Sequence, residues 1–515
     1  MTESTHKAGR NMLLVSSAIL ASRCLGLIRD ITFAQVWGTD MALAAFILAF
    51  TIPNLFRSVL GEGGMNAAFV PIFNEKLQQE GPTEAWTTAC RIMSVIATLL
   101  TGIIALLIVI ILLLSPFFSD SLAGKVMELL PWLLPYAVLI CLATGFGSVL
   151  NSIDRFGVPA FSQTLMNVSL IIATLLTAFA VKDSGGQVPI FPLAAAVIIA
   201  GVIQLAIHIF ACAGNGWIFR FRPVFTSPEV RRFAFLIAPV VIGTGVVQLN
   251  VLVDRVLAGY LGNVATTTLY YSQRLVYLPV GLFGVSMGMV SMPAMSRAWT
   301  AGDTEALEDK LHFAFKQVFF LTIPVMILLY VLRAPLIQLL FERGAFTPRD
   351  TWETAGTLVF YSLGIPAFVG VKIAQTPYYA AQNTKTPVKI AVFCMVLNLV
   401  LNLILMQFLE QGGLAFATSI CSWMNLALLL FFVRSYFNDF ELKKTLFPVS
   451  KMLAAGIVSG IAASWSMTVF DPATGFALLD KILILMPPLL VGGVIYLLLA
   501  FVLRCDQLKS LLGKS

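Results

Sequence analysis

Apolar positions in this chain come in blocks of about twenty residues from end to end, broken by short polar connections. Blocks lie near 11–28, 36–60, 86–114, 127–150, 159–181, 189–213 and 234–260. A second series lies near 267–295, 312–333, 352–374, 387–409, 413–435, 446–469 and 481–503. As a helix, each block is long enough to cross a hydrocarbon core of about 30 Å, and the blocks are too long and too evenly apolar for barrel strands. The pattern therefore predicts an all-α polytopic membrane protein with fourteen transmembrane helices.

The order and spacing of short motifs add an internal repeat. RDITFAQVWG is echoed by VDRVLAGYLG, NAAFVPIFNEK by VSMPAMSRAW, LLPYAVLI by LVFYSLGIP, and NSIDRFGVP by AAQNTKTP. The anchor pairs Gly38/Gly262, Pro71/Pro293, Tyr136/Tyr361 and Pro159/Pro387 keep offsets between 222 and 228 residues. The repeated unit holds six spans, an even number, so both copies enter the membrane from the same side and form parallel repeats. This predicts an N-lobe over 1–215 (spans 1–6), a C-lobe over 216–440 (spans 7–12) and a C-terminal pair over 441–515 (spans 13 and 14). The first apolar block imitates a secretory leader, with Lys7 and Arg10 ahead of it. Its place as the counterpart of span 7 makes it a retained span instead.

Composition agrees with the pattern: of 515 residues, 58% are hydrophobic and 11% charged, a balance no water-soluble fold could hide. The net charge of +7 is mostly topological. Numbering the loops alternately, one side collects Arg220, Arg222, Arg231, Arg232, Lys443 and Lys444, while the other holds a sparser set such as Lys125, Arg343 and Lys481. The positive-inside rule then places both termini in the cytoplasm and removes any need to invoke nucleic acid. The seven cysteines show neither pairing nor metal spacing. No H-E-x-x-H is present, the G-x-S-x-G match at 284–288 lies inside an apolar block rather than at a strand-to-helix turn, and the terminal LLGKS lacks the first glycine of a P-loop, so an enzyme is not expected. Glycine pairs four apart, Gly284/Gly288 and Gly456/Gly460, predict close helix packing.

Against this background, charges inside the blocks carry the chemistry. Arg23, Arg29, Asp30, Arg57, Asp254, Arg255, Arg274 and Lys372 all fall within or at the broken ends of spans. A central arginine costs roughly 2.5–3.5 kcal/mol on insertion scales, so such residues face a bundle interior or a wet cavity. Interfacial snorkelling is the ordinary alternative for Arg29 and Asp30. Arg57 follows FTIPN, where Pro53 is expected to break the helix and Asn54 to satisfy freed backbone groups, and Arg274 stands before Pro279 in the duplicated region. Gly26, between Arg23 and Arg29, reads as a bend aiming both at a common cavity. Guanidinium groups outnumber carboxylates, so the expected ligand is anionic, and forked donors suit phosphate oxygens.

Four stretches, SRCLGLIRD, IPNLFRSVLGEGGMNAAFVPIF, YYSQRLVYLPVGLFGVSMGMVSMPAMSR and NTKTPVKIAV, closely resemble the MurJ (MviN) lipid II flippase family of the multidrug/oligosaccharidyl-lipid/polysaccharide exporter superfamily, over about residues 11–503. The resemblance implies translocation of lipid II, an undecaprenyl-pyrophosphate-linked peptidoglycan precursor, from the inner to the outer leaflet of the bacterial inner membrane. It implies alternating access without ATP hydrolysis and without a cofactor, driven by Na+, H+ or the membrane potential. The matching cavity arginines are Arg23, Arg29, Arg57 and Arg274, with Asp30, Asn54 and Glu62 as supporting or gating residues. A cation site on Asp254 and Asn383 is a further implication, with a lobe-closing salt bridge as the competing explanation for Asp254. Spans 13 and 14 resemble a groove for the lipid tail. Implied partners are lipid II, membrane lipids and other cell-wall synthesis proteins, with the chain acting as a monomer. The sequence departs from related ones at Ala44 and Gln273, where acids are often found. A polyisoprenoid-glycan or multidrug exporter of the same superfamily is the alternative reading.

Overall fold

The computed structural model describes residues 2–118, 121–181, 188–437, 441–469 and 478–511, with the backbone alone described for 2–13, 62–64, 285–286, 289–290, 478–479 and 509–511. The described residues form helices and short connections, with no strand among them. The chain divides into two compact units, Met1–Thr267 and Thr268–Ser515.

In the first unit, α1 (Thr2–Trp37) ends at Gly38, whose φ of 55° is the left-handed conformation that stops a helix cheaply. Asp40 then caps α2 (Met41–Phe56), its carboxylate accepting from the Met41 backbone N–H. Without a break the chain continues into a π-helical segment, Arg57–Met65, and α3 (Asn66–Gln79). The apolar α4 (Pro82–Leu114) follows, with α5 (Leu122–Leu133), capped by Ser121, and α6 (Pro135–Ser152) forming the return. The unit is completed by α7 (Gly157–Val181), α8 (Phe191–Ala213) and α9 (Pro228–Leu261), which Ser227 and Pro228 start in the standard way. α7 packs on both α1 and α8, and α9 lies against α2, α3, α4 and the π segment. One end is closed by stacked Trp86 and Trp217 rings, 5.5 Å apart, and by a bidentate Arg232–Glu75 pair at 2.8 and 2.9 Å.

The second unit takes most of α10 (Asn263–Thr300), then α11 (Thr304–Val331), α12 (Arg333–Leu340), α13 (Pro348–Ser362), α14 (Ile365–Ala374) and α15 (Thr376–Ala380). Thr347 and Asp350 make a reciprocal capping box at the start of α13. α16 (Lys385–Val433) holds two of the expected spans, separated at Glu410, whose φ of 47° interrupts the helix. α17 (Lys443–Val469) and α18 (Leu478–Val502) pair with each other and against α11, and α19 (Asp506–Leu511) follows. Cβ atoms at Gly456 and Gly460 would lie 2.6 and 2.5 Å from Ile327, so here the glycine pair permits the approach of α17 to α11. In the other pair Gly284 lies close to α14, where a Cβ would stand 3.2 Å from Lys372 Cδ, while Gly288 has nothing within 4 Å among the described residues.

Eleven helices among the described residues are long and apolar enough to cross a membrane. Their outer faces carry large exposed apolar side chains such as Phe117, Phe179, Phe235 and Phe408, which a bilayer rather than water would solvate. Both members of each repeat anchor pair occupy the same local position. Gly38 and Gly262 end helices with positive φ, Pro71 and Pro293 lie inside helices, and Tyr136 and Tyr361 are buried. Pro159 and Pro387 sit in the first turn of α7 and α16, where a missing N–H breaks no helix bond.

Candidate functional site

α1 runs unbroken through Gly26, so the expected bend there is not found. Gly26 faces α7, where a Cβ would lie at ordinary contact distance, 3.8 Å, from Asn167. An unbroken helix has a further consequence, since residues six apart point about 120° away from each other. Arg23 and Arg29 therefore face different surroundings.

Arg29 is 7% exposed and Asp30 fully buried. The Arg29 Nε and Nη2 donate to Asp30 Oδ1 at 3.0 and 2.7 Å, and Nη1 donates to Asn167 Oδ1 at 2.9 Å. Asn167 Nδ2 in turn donates to the Ser22 carbonyl at 3.1 Å, and the Phe33 ring lies 5.6 Å from the guanidinium. A buried ion pair is helped by extra hydrogen bonds to its charged groups, and Asn167 supplies one to Arg29. The arrangement ties α1 to α7. Asn167 was not among the residues the sequence singled out, although a polar residue inside an apolar block is a signal that could have found it.

Arg23 is half-buried and follows Val15 and Ile19 along one stripe of α1. Those two residues line a pocket of about 360 Å³ within the first unit, together with Arg57, Asn66, Thr144, Asn151, Gln163 and His208. Arg57 is the first residue of the π segment, and its Nε donates to Asn54 Oδ1 at 2.8 Å. Pro53 does not break the helix, because α2 continues through it. The irregularity comes immediately after, as i to i+5 turns over Arg57–Met65, a departure that recurs at functional sites. Gly61 brings this segment against α6, where a Cβ would lie 3.1 Å from Thr144 Oγ1. The side chain of Glu62 lies outside the described residues.

In the second unit, Arg274 is half-buried on α10. Its Nη2 donates to the Tyr270 hydroxyl at 3.2 Å, and its guanidinium stands 5.3 Å over the Tyr270 ring. The next residue, Tyr271, is fully buried against Phe341 and Phe346. Of the suggested cation ligands, Asp254 belongs to the first unit and is half-buried, and Asn383 belongs to the second. Asn383 has structural work already: Nδ2 donates to Tyr436 Oη at 2.8 Å and Thr386 Oγ1 at 3.0 Å, and Oδ1 accepts from the Thr386 N–H at 3.2 Å. Among the described residues, no three His, Cys, Asp or Glu side chains gather to hold a metal ion.

Comparison with known proteins identifies the family. A family model described as lipid II flippase MurJ matches residues 33–483. A Vibrio cholerae protein described as a probable lipid II flippase MurJ is 31% identical over 514 residues, covering 97% of each chain. A Rickettsia prowazekii protein of the same description is 28% identical over 506 residues, covering 96% of this chain and 97% of its own. A solved structure titled as lipid II flippase MurJ in an inward closed conformation superposes with a TM-score of 0.77 at 27% identity, covering 96% of this chain and 99% of that one. An inward-facing multidrug transporter of the MATE family, at 12% identity and a TM-score of 0.68, covers 81% of this chain and 95% of its own and shares the fold. The chain belongs to the MurJ family.

Proposed function

We propose that this protein flips lipid II from the inner to the outer leaflet of the cytoplasmic membrane by alternating access, capturing the pyrophosphate with arginines. The observation that carries this reading is Arg57, a cation held by Asn54 at a π-helical irregularity on the edge of a polar pocket inside a membrane-spanning unit. Arg274 on α10 and Arg23 on the pocket-side stripe of α1 supply further forked donors. Arg29 belongs to the same set by its place on α1, but its donors are committed to Asp30 and Asn167 in this conformation.

Fourteen spans follow if α16 counts as two, at Glu410, and α1 and α10, of 36 and 38 residues, join the apolar helices. The matched local geometry of the four anchor pairs supports two six-span lobes in parallel repeat. α17 and α18 then form the appended pair against which the polyprenyl tail lies. Both termini face the cytoplasm, as the distribution of basic loops requires. Translocation is driven by the membrane potential or an ion gradient, with Asp254 the carboxylate to test for ion coupling, and the chain works as a monomer.

The test is rescue of a wall-synthesising cell depleted of its own flippase. Arg57→Ala and Arg274→Ala are each expected to abolish rescue while the protein still inserts at wild-type level. Normal rescue by both would end the pyrophosphate-clamp mechanism.

A further inference from the structure

The pocket beside Arg57 is more than a place for a phosphate. Among its described lining residues Arg57 is the one with a fixed charge; the other polar groups include the neutral side chains of Asn66, Thr144, Asn151, Gln163 and His208. A site for two phosphates would gather several cations, and a site for an apolar drug would be walled by aromatic rings. Here one cation stands at the edge of a mixed wall, in which amides, hydroxyls and an imidazole stand among apolar side chains such as Ile140, Phe156 and Pro159.

The orientation of the imidazole follows from its partner. His208 is 3% exposed, and its Nδ1 lies 2.7 Å from the Gln204 carbonyl oxygen, which can only accept. The ring proton therefore sits on Nδ1, and in the neutral imidazole Nε2 is an acceptor. Gly147, also on the pocket wall, makes room for that nitrogen: a Cβ there would lie 3.3 Å from Nε2. The Asn66 amide stands 2.7 Å from Ser148 Oγ, which also lies 3.0 Å from the Thr144 carbonyl, so this hydroxyl is held between the two. The wall thus offers neutral donors and acceptors with no second charge, which suits ligand hydroxyl and acetamido groups. The volume of about 360 Å³ is in the range of small-ligand sites, roughly 300–1,000 Å³, and is too small for a long hydrocarbon chain as well.

We infer that this pocket of the first unit is the subsite for the neutral, N-acetylated sugar next to the pyrophosphate, with Arg57 marking the boundary between the anionic and the neutral part of the headgroup. The inference rests on the proposed flippase reading and deepens it. It assigns Asn151, Gln163 and His208 to recognition of the sugar, so the protein can tell a glycan-loaded carrier from the bare polyprenyl pyrophosphate that shares its tail and charge.

Binding of two ligands to the purified full chain in lipid nanodiscs tests this: lipid II, and undecaprenyl pyrophosphate, which lacks the sugar. The double variant Asn151→Leu/Gln163→Leu is expected to weaken lipid II binding by roughly tenfold, the scale of one or two neutral hydrogen bonds, and to leave undecaprenyl pyrophosphate within about twofold of wild type. Equal weakening of both ligands, or of neither, overturns the sugar subsite. Should the double variant fail to fold, Gln163→Ala, at an exposed position, is judged by the same two outcomes. Arg57→Ala separates the two levels of inference: loss of both ligands supports the clamp, whereas no loss of either defeats the clamp independently of the sugar result.

Discussion

Met41–Gln79 and Asn263–Thr300 echo each other in sequence, and each carries an arginine well inside a long helical stretch, Arg57 and Arg274, yet they present it by different means. In the first unit the backbone changes. After Pro53 the ladder slips into π turns, Arg57 begins them, and the short Asn54 side chain holds its Nε. In the second unit α10 stays α-helical across Pro279 and Pro293, and an aromatic side chain does the holding, with Tyr270 giving both its hydroxyl and its ring to Arg274. The difference has a local cause. Gly61, Gly63 and Gly64 follow Arg57 and lower the resistance of the helix to rewinding, whereas Arg274 sits in a helix anchored by buried Tyr271, Leu275 and Val276. A cation can thus be aimed by a loosened backbone or by a stacked ring.

The largest effect should come from exchanging fork for point charge. Arg57→Lys keeps the charge but loses the donor that Asn54 orients, and is expected to lower rescue of flippase-depleted cells by at least about tenfold. If Arg57→Lys rescues as well as wild type, the geometry of the first arginine is irrelevant and the contrast fails. Removing the carboxylate of the buried pair should come next. Asp30→Ala leaves the Arg29 charge uncompensated, and thermal unfolding in detergent should report a loss of about 3–5 kcal/mol. Asn167→Leu removes one hydrogen bond to Arg29 and one to the Ser22 carbonyl, so about 1–3 kcal/mol is expected in the same assay, with Asn167→Asp recovering part of it by restoring the acceptor for Arg29. No difference between the Leu and Asp variants would show that Asn167 only fills space. The smallest effect sharpens the account of the second arginine. Tyr270→Phe keeps the ring under Arg274 and loses only its hydroxyl, so it should cost about 0.5–1.5 kcal/mol. Tyr270→Ala loses both and should impair rescue more; equal impairment would make the hydroxyl, not the ring, the holding group.

How far the site could be read from the chain depends on the range of the interaction. Arg57, Asn54 and Asp30 were legible because their partners lie within three residues along the sequence. Asn167 was not, since its partner Arg29 is 138 residues away. The shared aim expected of Arg23 and Arg29 required a bend at Gly26, but glycine in an apolar helix only permits a bend. α1 stays helical there and packs on α7 with this glycine at ordinary contact distance.

The sequence by itself determined the all-helical, membrane-spanning architecture. It rests on composition and short-range periodicity, and lipid leaves the backbone little alternative to a helix. Only the tertiary structure decided which arginines are held for packing and which line a pocket, that Pro53 would be accommodated by π turns, and that His208 and Gly147 would share one wall. Those outcomes depend on which helix faces meet. That is set by contacts among residues far apart in the chain, where small differences in packing outweigh any local preference.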